Sequence, residues 1–530
     1  MVISCCHHWS KALGKYFMLE ALLEKGFLPR ELPPLFSSMT LGRVVGHRGI
    51  LPDALKKPQA VWTQPMHHNL SRVGGLRRRL TIPNPSNYFR LANVFAVNNA
   101  QLAAEWAKSP FSHTRPQYDP QGSRAIASSV SDRAIARAST RVGARYILRA
   151  DISQFYSSIY THTIPWALHT KAVAKARSRD FTLCGNVIDK ELQACQSGQT
   201  KGIAIGPDTS LGIAELLLSS IDAKLASECN IVGGVRFIDD IELSFSSLSD
   251  AENALIMLEA ELYGRELQLN GNKTAIYELP SELESIYVSK LRPIVPAYYG
   301  ASSFEWVDYF NHAFGLAREH PTEGVLRYSI AALKSVTAEA EQWELAQHLL
   351  WQCIALDPGC LRIVLDVLLL NIDRGGLVLD RNIAYRAINA LVQASAPVGH
   401  GSEVVWSVWA CMLLGLKLSD VSQSAIALMD DGCVATASMR AREMGVFDPG
   451  FTSPLWEAWL VDDCFEQDHW LFAYECYRRD WLLHLINVSN IIADPVAILF
   501  KSLGITFLDI DSPHTYKPKA VVVGEEDGGY

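Results

Sequence analysis

The sequence predicts an α+β domain followed by an all-α domain, and three observations carry that expectation. Two stretches, 145–156 and 235–245, alternate apolar and polar residues around acids, the period of a half-buried strand. Beyond residue 300 the apolar spacing turns helical, in segments near 303–318, 325–337, 340–356, 360–373, 380–395, 403–417, 422–444 and 453–485. Charge also changes along the chain: residues 1–150 hold 21 Lys and Arg against 7 Asp and Glu, residues 151–300 hold 12 against 19, and residues 301–530 hold 15 against 30. A basic first third beside an acidic middle fits a polyanion-binding wall facing a metal-binding floor. The expected divisions are 1–140, a basic N-terminal region mixed with the domain after it; 141–300, the strand-bearing domain; 301–515, the helical domain; and 516–530, a flexible tail.

At 530 residues, 49% hydrophobic and 20% charged, the chain has material for a substantial core. Its eleven cysteines include no C-x-x-C pair, which suits reduced, mostly buried thiols in a cytoplasmic protein. Cys5-Cys6-His7-His8 are four adjacent residues and converge poorly on one tetrahedral ion. The start lacks the basic and apolar regions of a secretory signal. The longest uncharged apolar run, 404–416, is too short to cross a bilayer, so no membrane partner is expected.

In chain order, residues 10–30 read as an amphipathic helix, followed by a Pro/Arg-rich stretch ending in Arg77-Arg78-Arg79. Trp62, His67 and His68 are interleaved with its bases, as on a surface that holds phosphates and stacks on bases. Ile82-Pro83-Asn84-Pro85 forces an extended backbone, and 88–108 has helical spacing. A Pro/Gln/Gly/Ser linker spans about 109–123. Arg133, Arg137 and Arg141 then fall on one helix face, aimed at an anionic partner, while Arg145 and Arg149 belong to the strand leading to Asp151. Lys201-Gly202 to Gly206-Pro207 is a turn running into a helix capped by Asp208, Thr209 or Ser210. Val235 to Phe245 reads as a hairpin with Asp239-Asp240 at its bend. A helix over about 250–265 follows, then an Asn270-Gly271 turn that leaves Lys273 at the start of a strand.

Taken singly, Asp239-Asp240 is a solvated turn and Asp151 a helix cap. Taken together, crowded carboxylates among apolar strands resist ionising. A divalent cation removes that conflict, and oxygen-only ligands favour Mg²⁺ or Mn²⁺.

The order of these pieces is what becomes specific: a strand ending in Asp151, the aromatics at 155–156, Gly202-x-x-x-Gly206-Pro207 into a helix, Phe237-x-Asp239-Asp240, and Asn270-x-x-Lys273. Over roughly 75–300 it resembles the palm of a reverse transcriptase. The stretches Ile-Pro-Asn-Pro, Phe-Tyr-x-Ser-Ile-Tyr-Thr-His and Gly-Pro-Asp-Thr-Ser resemble the prokaryotic defence-associated, abortive-infection (Abi-type) reverse transcriptases, in which a helical repeat domain follows the palm. The resemblance implies a palm-and-fingers fold, with fingers in 1–140 and palm in 141–300. Helix pairs at roughly 40-residue spacing after residue 300 suggest a HEAT-like array. It further implies Asp151, Asp239 and Asp240 as the catalytic triad, and Asp151, Ile152, Asp239 and Asp240 as the ligand set for two Mg²⁺ or Mn²⁺ ions. Phe155, Tyr156, Gly202, Gly206, Pro207 and Lys273 would contact nucleotide, with Arg79 and Arg124 as finger residues on the triphosphate. Tyr156 takes the place of the aromatic that excludes a ribose 2′-OH, which favours dNTPs. Two departures, Lys201 where many relatives have Gln and Phe-Ile-Asp-Asp for Tyr-x-Asp-Asp, leave template use and fidelity open.

The implied function is a DNA polymerase of antiviral defence that adds dNTPs. Such enzymes either extend DNA without a template from a protein hydroxyl, leaving the product covalently attached, or copy a companion non-coding RNA. The primer is unknown; Tyr530 is a weak candidate. A homo-oligomer is expected. The alternatives are an RNA-templated reverse transcriptase of a mobile element, maturase-like, and a non-catalytic RNA-binding scaffold. The absence of a basic maturase tail and the presence of all three acids speak against them.

Overall fold

A four-stranded antiparallel sheet carries both acidic stretches. The computed structural model describes residues 17–48, 61–119, 124–127, 133–297, 300–487 and 489–518. A separate hairpin comes first, β1 (Met66–Ser71) paired with β2 (Arg77–Ile82). The sheet itself is built from β3 (Tyr146–Asp151), β4 (Gly233–Phe237), β5 (Asp240–Phe245) and β6 (Ala275–Glu278), in the order β4-β5-β3-β6. Registered partners share a face. Asp151 opposite Asp240 and Arg149 opposite Glu242 therefore line one face, while Leu148, Ala150, Ile241 and Leu243 point to the other. That second face is buried.

Four of the helices in this half position the site. Helix α1 (Pro85–Val97) starts where Asn84 accepts a hydrogen bond from the Ser86 N–H and Pro85 takes the first turn, the position proline tolerates best. Helix α2 (Arg133–Thr140) precedes β3, and α3 (Asp208–Glu228) lies beside α4 (Leu248–Tyr263), which packs across β3 and β5. No strand follows Glu278 among the described residues. The rest is helical, chiefly α5 (Ser303–Glu319), α6 (Ala340–Leu356), α7 (Leu361–Gly375), α8 (Arg381–Ser395), α9 (Gly401–Leu414), α10 (Gly432–Glu443) and α11 (Trp470–Arg479). Helix α9 contains most of the uncharged run 404–416 and is buried between α8, α10 and β1. No helix among the described residues is long and apolar enough to cross a membrane.

Several elements differ from expectation, each for a local reason. The stretch 88–108 breaks at Asn98 into two helices. The expected helix at 422–444 is interrupted because Asp431 caps a new helix, accepting from the main-chain N–H groups of Cys433 and Val434. The stretch 453–485 forms three helices, the first opened by Ser453 and Pro454. Asp208 does not cap α3: it is the first helical residue, and its carboxylate turns to Arg124 and the Ala125 N–H. Tyr516, placed in the tail by its sequence, packs on Trp409 and donates to Asp366.

The strand-bearing and helical parts share one core. A continuous cluster of buried apolar side chains runs from Met18 through Ile82, Leu243 and Trp306 to Leu508. Polar contacts cross the same boundary: Trp470 Nε1 donates to the Ile82 carbonyl at 3.2 Å, Asn84 Nδ2 to the Phe465 carbonyl at 2.6 Å, and Arg77 pairs with Glu403.

Candidate active site

The pairing of Phe237 with Asp240 leaves a two-residue bend, Ile238-Asp239. Ile238 has φ of 57°, a left-handed conformation that is costly for a β-branched residue. Its neighbours hold it there. Arg236 donates to the Ile238 carbonyl at 2.9 Å, and Thr114 Oγ1 accepts from the Ile238 N–H at 2.9 Å. Arg236 is fully buried, donating to both oxygens of Glu215 at 2.9 Å and to Asp222 at 2.8 Å, both acids on α3. Thr114 and Ser112 also donate to Glu215, and Ser109 donates to Asp222. This cluster fixes the acid-bearing bend, and sequence reasoning missed it. The available signal was an arginine inside an apolar strand together with two acids, seven residues apart, on the buried face of α3.

The bend sets Asp239 beside the Asp151–Asp240 pair. Burial, then the nearby charges of Asp151 and Asp240, push the Asp239 carboxyl up to about 6. Asp151 accepts from Asn270 Nδ2 at 3.1 Å and from Lys273 Nζ at 2.9 Å, while its main-chain carbonyl accepts from the Asn270 N–H at 2.7 Å. The Asn-x-x-Lys turn is therefore bound to the first acid at both ends. Asp240 faces Arg133 at 3.1 Å and Arg137 at 3.5 Å, and Arg133 lies over the Phe237 ring.

The residues present fit a divalent cation. The donors are carboxylate oxygens, a hard set suited to Mg²⁺ or Mn²⁺. The crowding that holds up Asp239 is what a bound cation relieves. Lysine and arginine nitrogens already seat on Asp151 and Asp240. Ile152 has a buried side chain and offers only its main chain.

The implied nucleotide contacts divide. Tyr156 is half-buried, and its carbonyl accepts from the Ile203 N–H at 2.9 Å, which joins the two segments. Gly202, with φ of 85°, lies against Ser157, where a side chain would be strained. Phe155 is 3% exposed and part of the apolar core, so it offers no nucleotide surface. Pro207 is buried as well, and Gly206 abuts Pro29. Arg124 is committed internally to Asp208 and to the Leu28 and Gly206 carbonyls, a clamp on the glycine turn rather than a free triphosphate contact. On β2, strand alternation separates Arg78 from Arg79. Arg78 is half-buried, which lowers its pKa, and it feels the charges of Arg72, Glu31, Asp239 and Tyr156. Arg79 is exposed and acts on His67. Of the two, Arg78 is the one that feels the charge of a site acid, Asp239. Tyr530 and Cys5-Cys6-His7-His8 lie outside the described residues.

The arginine row meets internal acids instead of an outside anion. Arg141 and Arg149 reach the buried Glu242 at 2.8 and 3.0 Å, and Arg137 lies 3.3 Å from it.

The family described as reverse transcriptase (RNA-dependent DNA polymerase) matches residues 78–307. Residues 78–307 are a reverse transcriptase domain. The match runs from Arg78 through all three acids to the first turns of α5, so the chain carries the catalytic domain of an RNA-directed DNA polymerase, a nucleotidyltransferase. No curated protein matches the chain. Among solved structures, that of apo telomerase from Candida tropicalis is similar at a TM-score of 0.32 and 10% identity, covering 74% of this chain and 67% of that one. At that score the likeness carries no argument.

Proposed function

We propose that the chain is a two-metal DNA polymerase of the reverse transcriptase type that adds dNTPs in antiviral defence. The observation that carries the chemistry is the cross-strand pair Asp151–Asp240 with Asp239 at the strained bend beside it. Asp151 and Asp239 would hold the ions, with Asp240 kept in place by Arg133 and Arg137. A bound pair of Mg²⁺ or Mn²⁺ ions supplies acidification of the primer hydroxyl and neutralisation of the leaving pyrophosphate. Lys273, 2.9 Å from Asp151, is at hand to hold a phosphate oxygen or to give the pyrophosphate a proton. Arg78 supplies the finger-side positive charge, and the Tyr156 ring disfavours a 2′-OH. The helical region acts as a HEAT-like scaffold whose core is continuous with the palm. The defence assignment rests on the Ile-Pro-Asn-Pro, Phe-Tyr-x-Ser-Ile-Tyr-Thr-His and Gly-Pro-Asp-Thr-Ser stretches.

The test is incubation of the purified chain with Mg²⁺ and each labelled dNTP, with and without an RNA template. Incorporation is expected. If it needs RNA and follows its sequence, the enzyme copies; if it proceeds without RNA and the label stays on protein through denaturation, priming is from a side chain. No incorporation under either condition would refute the proposal.

A further inference from the structure

Where β1 meets α9 and α10, three side chains of metal-binding type converge away from the polymerase acids. His68 of β1, with Asp431 and Cys433 at the start of α10, offer a ring nitrogen, a carboxylate oxygen and a thiol sulfur within 4.8 Å of one another, and all three residues are buried. His68 Nδ1 is 2.8 Å from Asp431 Oδ2. The other carboxylate oxygen, Oδ1, is fixed by the N–H groups of Cys433 and Val434 at 2.9 and 3.0 Å. A further donor lies outside that 4.8 Å group, next to Gly432. His469 Nδ1 is buried without a hydrogen-bond partner and lies 3.5 Å from where a Cβ on Gly432 would sit, the residue between Asp431 and Cys433. The His469 ring is stacked on Trp459 at 3.6 Å, and its Nε2 is held 3.1 Å from Asp430. Ligating histidines are oriented in this way, by a carboxylate on the other ring nitrogen.

We propose that His68, Asp431 and Cys433 bind a structural Zn²⁺ ion, with the His469 ring moving in to supply Nδ1 as the fourth ligand, tying the β1–β2 hairpin to the helical array. A mixed nitrogen, oxygen and sulfur set suits zinc, whereas the all-carboxylate polymerase site suits Mg²⁺ or Mn²⁺. The charges close. Zn²⁺ with one thiolate, one carboxylate and two neutral imidazoles has no net charge, as a buried site requires. On binding, the Cys433 thiol proton leaves to solvent and the His68 ring proton passes from Nδ1 to Nε2. The His68–Asp431 contact opens from 2.8 Å to about 3.3 Å, the spacing of tetrahedral ligands held ~2.0–2.1 Å from zinc.

The experiment measures metal content of the full chain, purified without added metal and dialysed against a weak chelator. One zinc ion per chain is expected. Cys433→Ala removes only the sulfur and leaves the His68–Asp431 hydrogen bond, so it should fold, as circular dichroism will report, yet hold only background zinc. Asp239→Asn should keep its zinc, which separates this site from the polymerase acids. Co²⁺ exchanged into the wild type needs no variant and should give an intense thiolate-to-cobalt charge-transfer band with tetrahedral d–d absorption. A wild type that neither retains zinc nor competes with a chromophoric chelator for it would overturn the proposal. So would a cobalt spectrum without the sulfur band, or full zinc in Cys433→Ala.

Discussion

Asp239 sits where chemistry and stability oppose each other. Its carboxyl stands near 6 against an ordinary 3.8, first because it is buried and next because Asp151 is close. The folded chain therefore binds more protons than the unfolded one between those values. The associated stability is fully present below about pH 4 and is lost as pH rises through about 6. Asp239→Asn is expected to make the metal-free chain more stable by about 1–3 kcal/mol at pH 7.5 and no more stable at pH 4. Urea melts of both proteins at the two pH values check this, and matching midpoints at both would contradict it. The three acids were legible because strand alternation marks any carboxylate set among Val235, Phe237, Ile241 and Leu243. Arg78 was not separated from Arg79, because neighbouring strand residues face opposite ways and the sequence does not say which face meets the palm.

At the scale of elements, the hairpin β4–β5 depends on what lies under its bend. Arg236 satisfies Glu215 and Asp222 while donating to the strained Ile238 carbonyl. Arg236→Met would leave two buried acids without their cation, a loss of about 3–5 kcal/mol. The drop should appear in the denaturant midpoint, and a change under ~1 kcal/mol would show that the cluster does not hold the bend. Its members come from β4, α3 and the segment near Ser109–Thr114, with bonded partners up to 124 residues apart, so no local pattern announces them. The arginines of α2 teach the same lesson. Their four-residue spacing was plain, but their partners Asp240 and Glu242 lie about a hundred residues away and meet them only through the register of β3 with β5. The helix breaks at Asn98 and Asp431 are not marked by apolar spacing, which continues across both: the Asn98 amide closes the first helix by donating to the Val94 carbonyl, and the Asp431 carboxylate caps a new one.

Across the whole molecule, the change from strands to helices near residue 300 is a change of secondary structure within one core. Ile82 and Trp470 are both fully buried and bonded to each other, and Met66 of β1 packs beside Gly432. A chain ended at residue 300 should fail to fold, because β1, β2 and α1 would expose the apolar faces that the helices now cover. Circular dichroism and proteolysis of that fragment check this; a cooperative melt would contradict the shared core. The sequence displayed the two kinds of periodicity but not their contact, since nothing local encodes packing across nearly 400 residues. What the molecule as a whole is built to do is read most directly by one measurement, dNTP incorporation by the full chain with Mg²⁺ set against Asp239→Asn. The account predicts a loss of at least about a thousandfold, ~4 kcal/mol in the barrier, in a variant that folds as well as the parent or better. Comparable incorporation by the two proteins would contradict it.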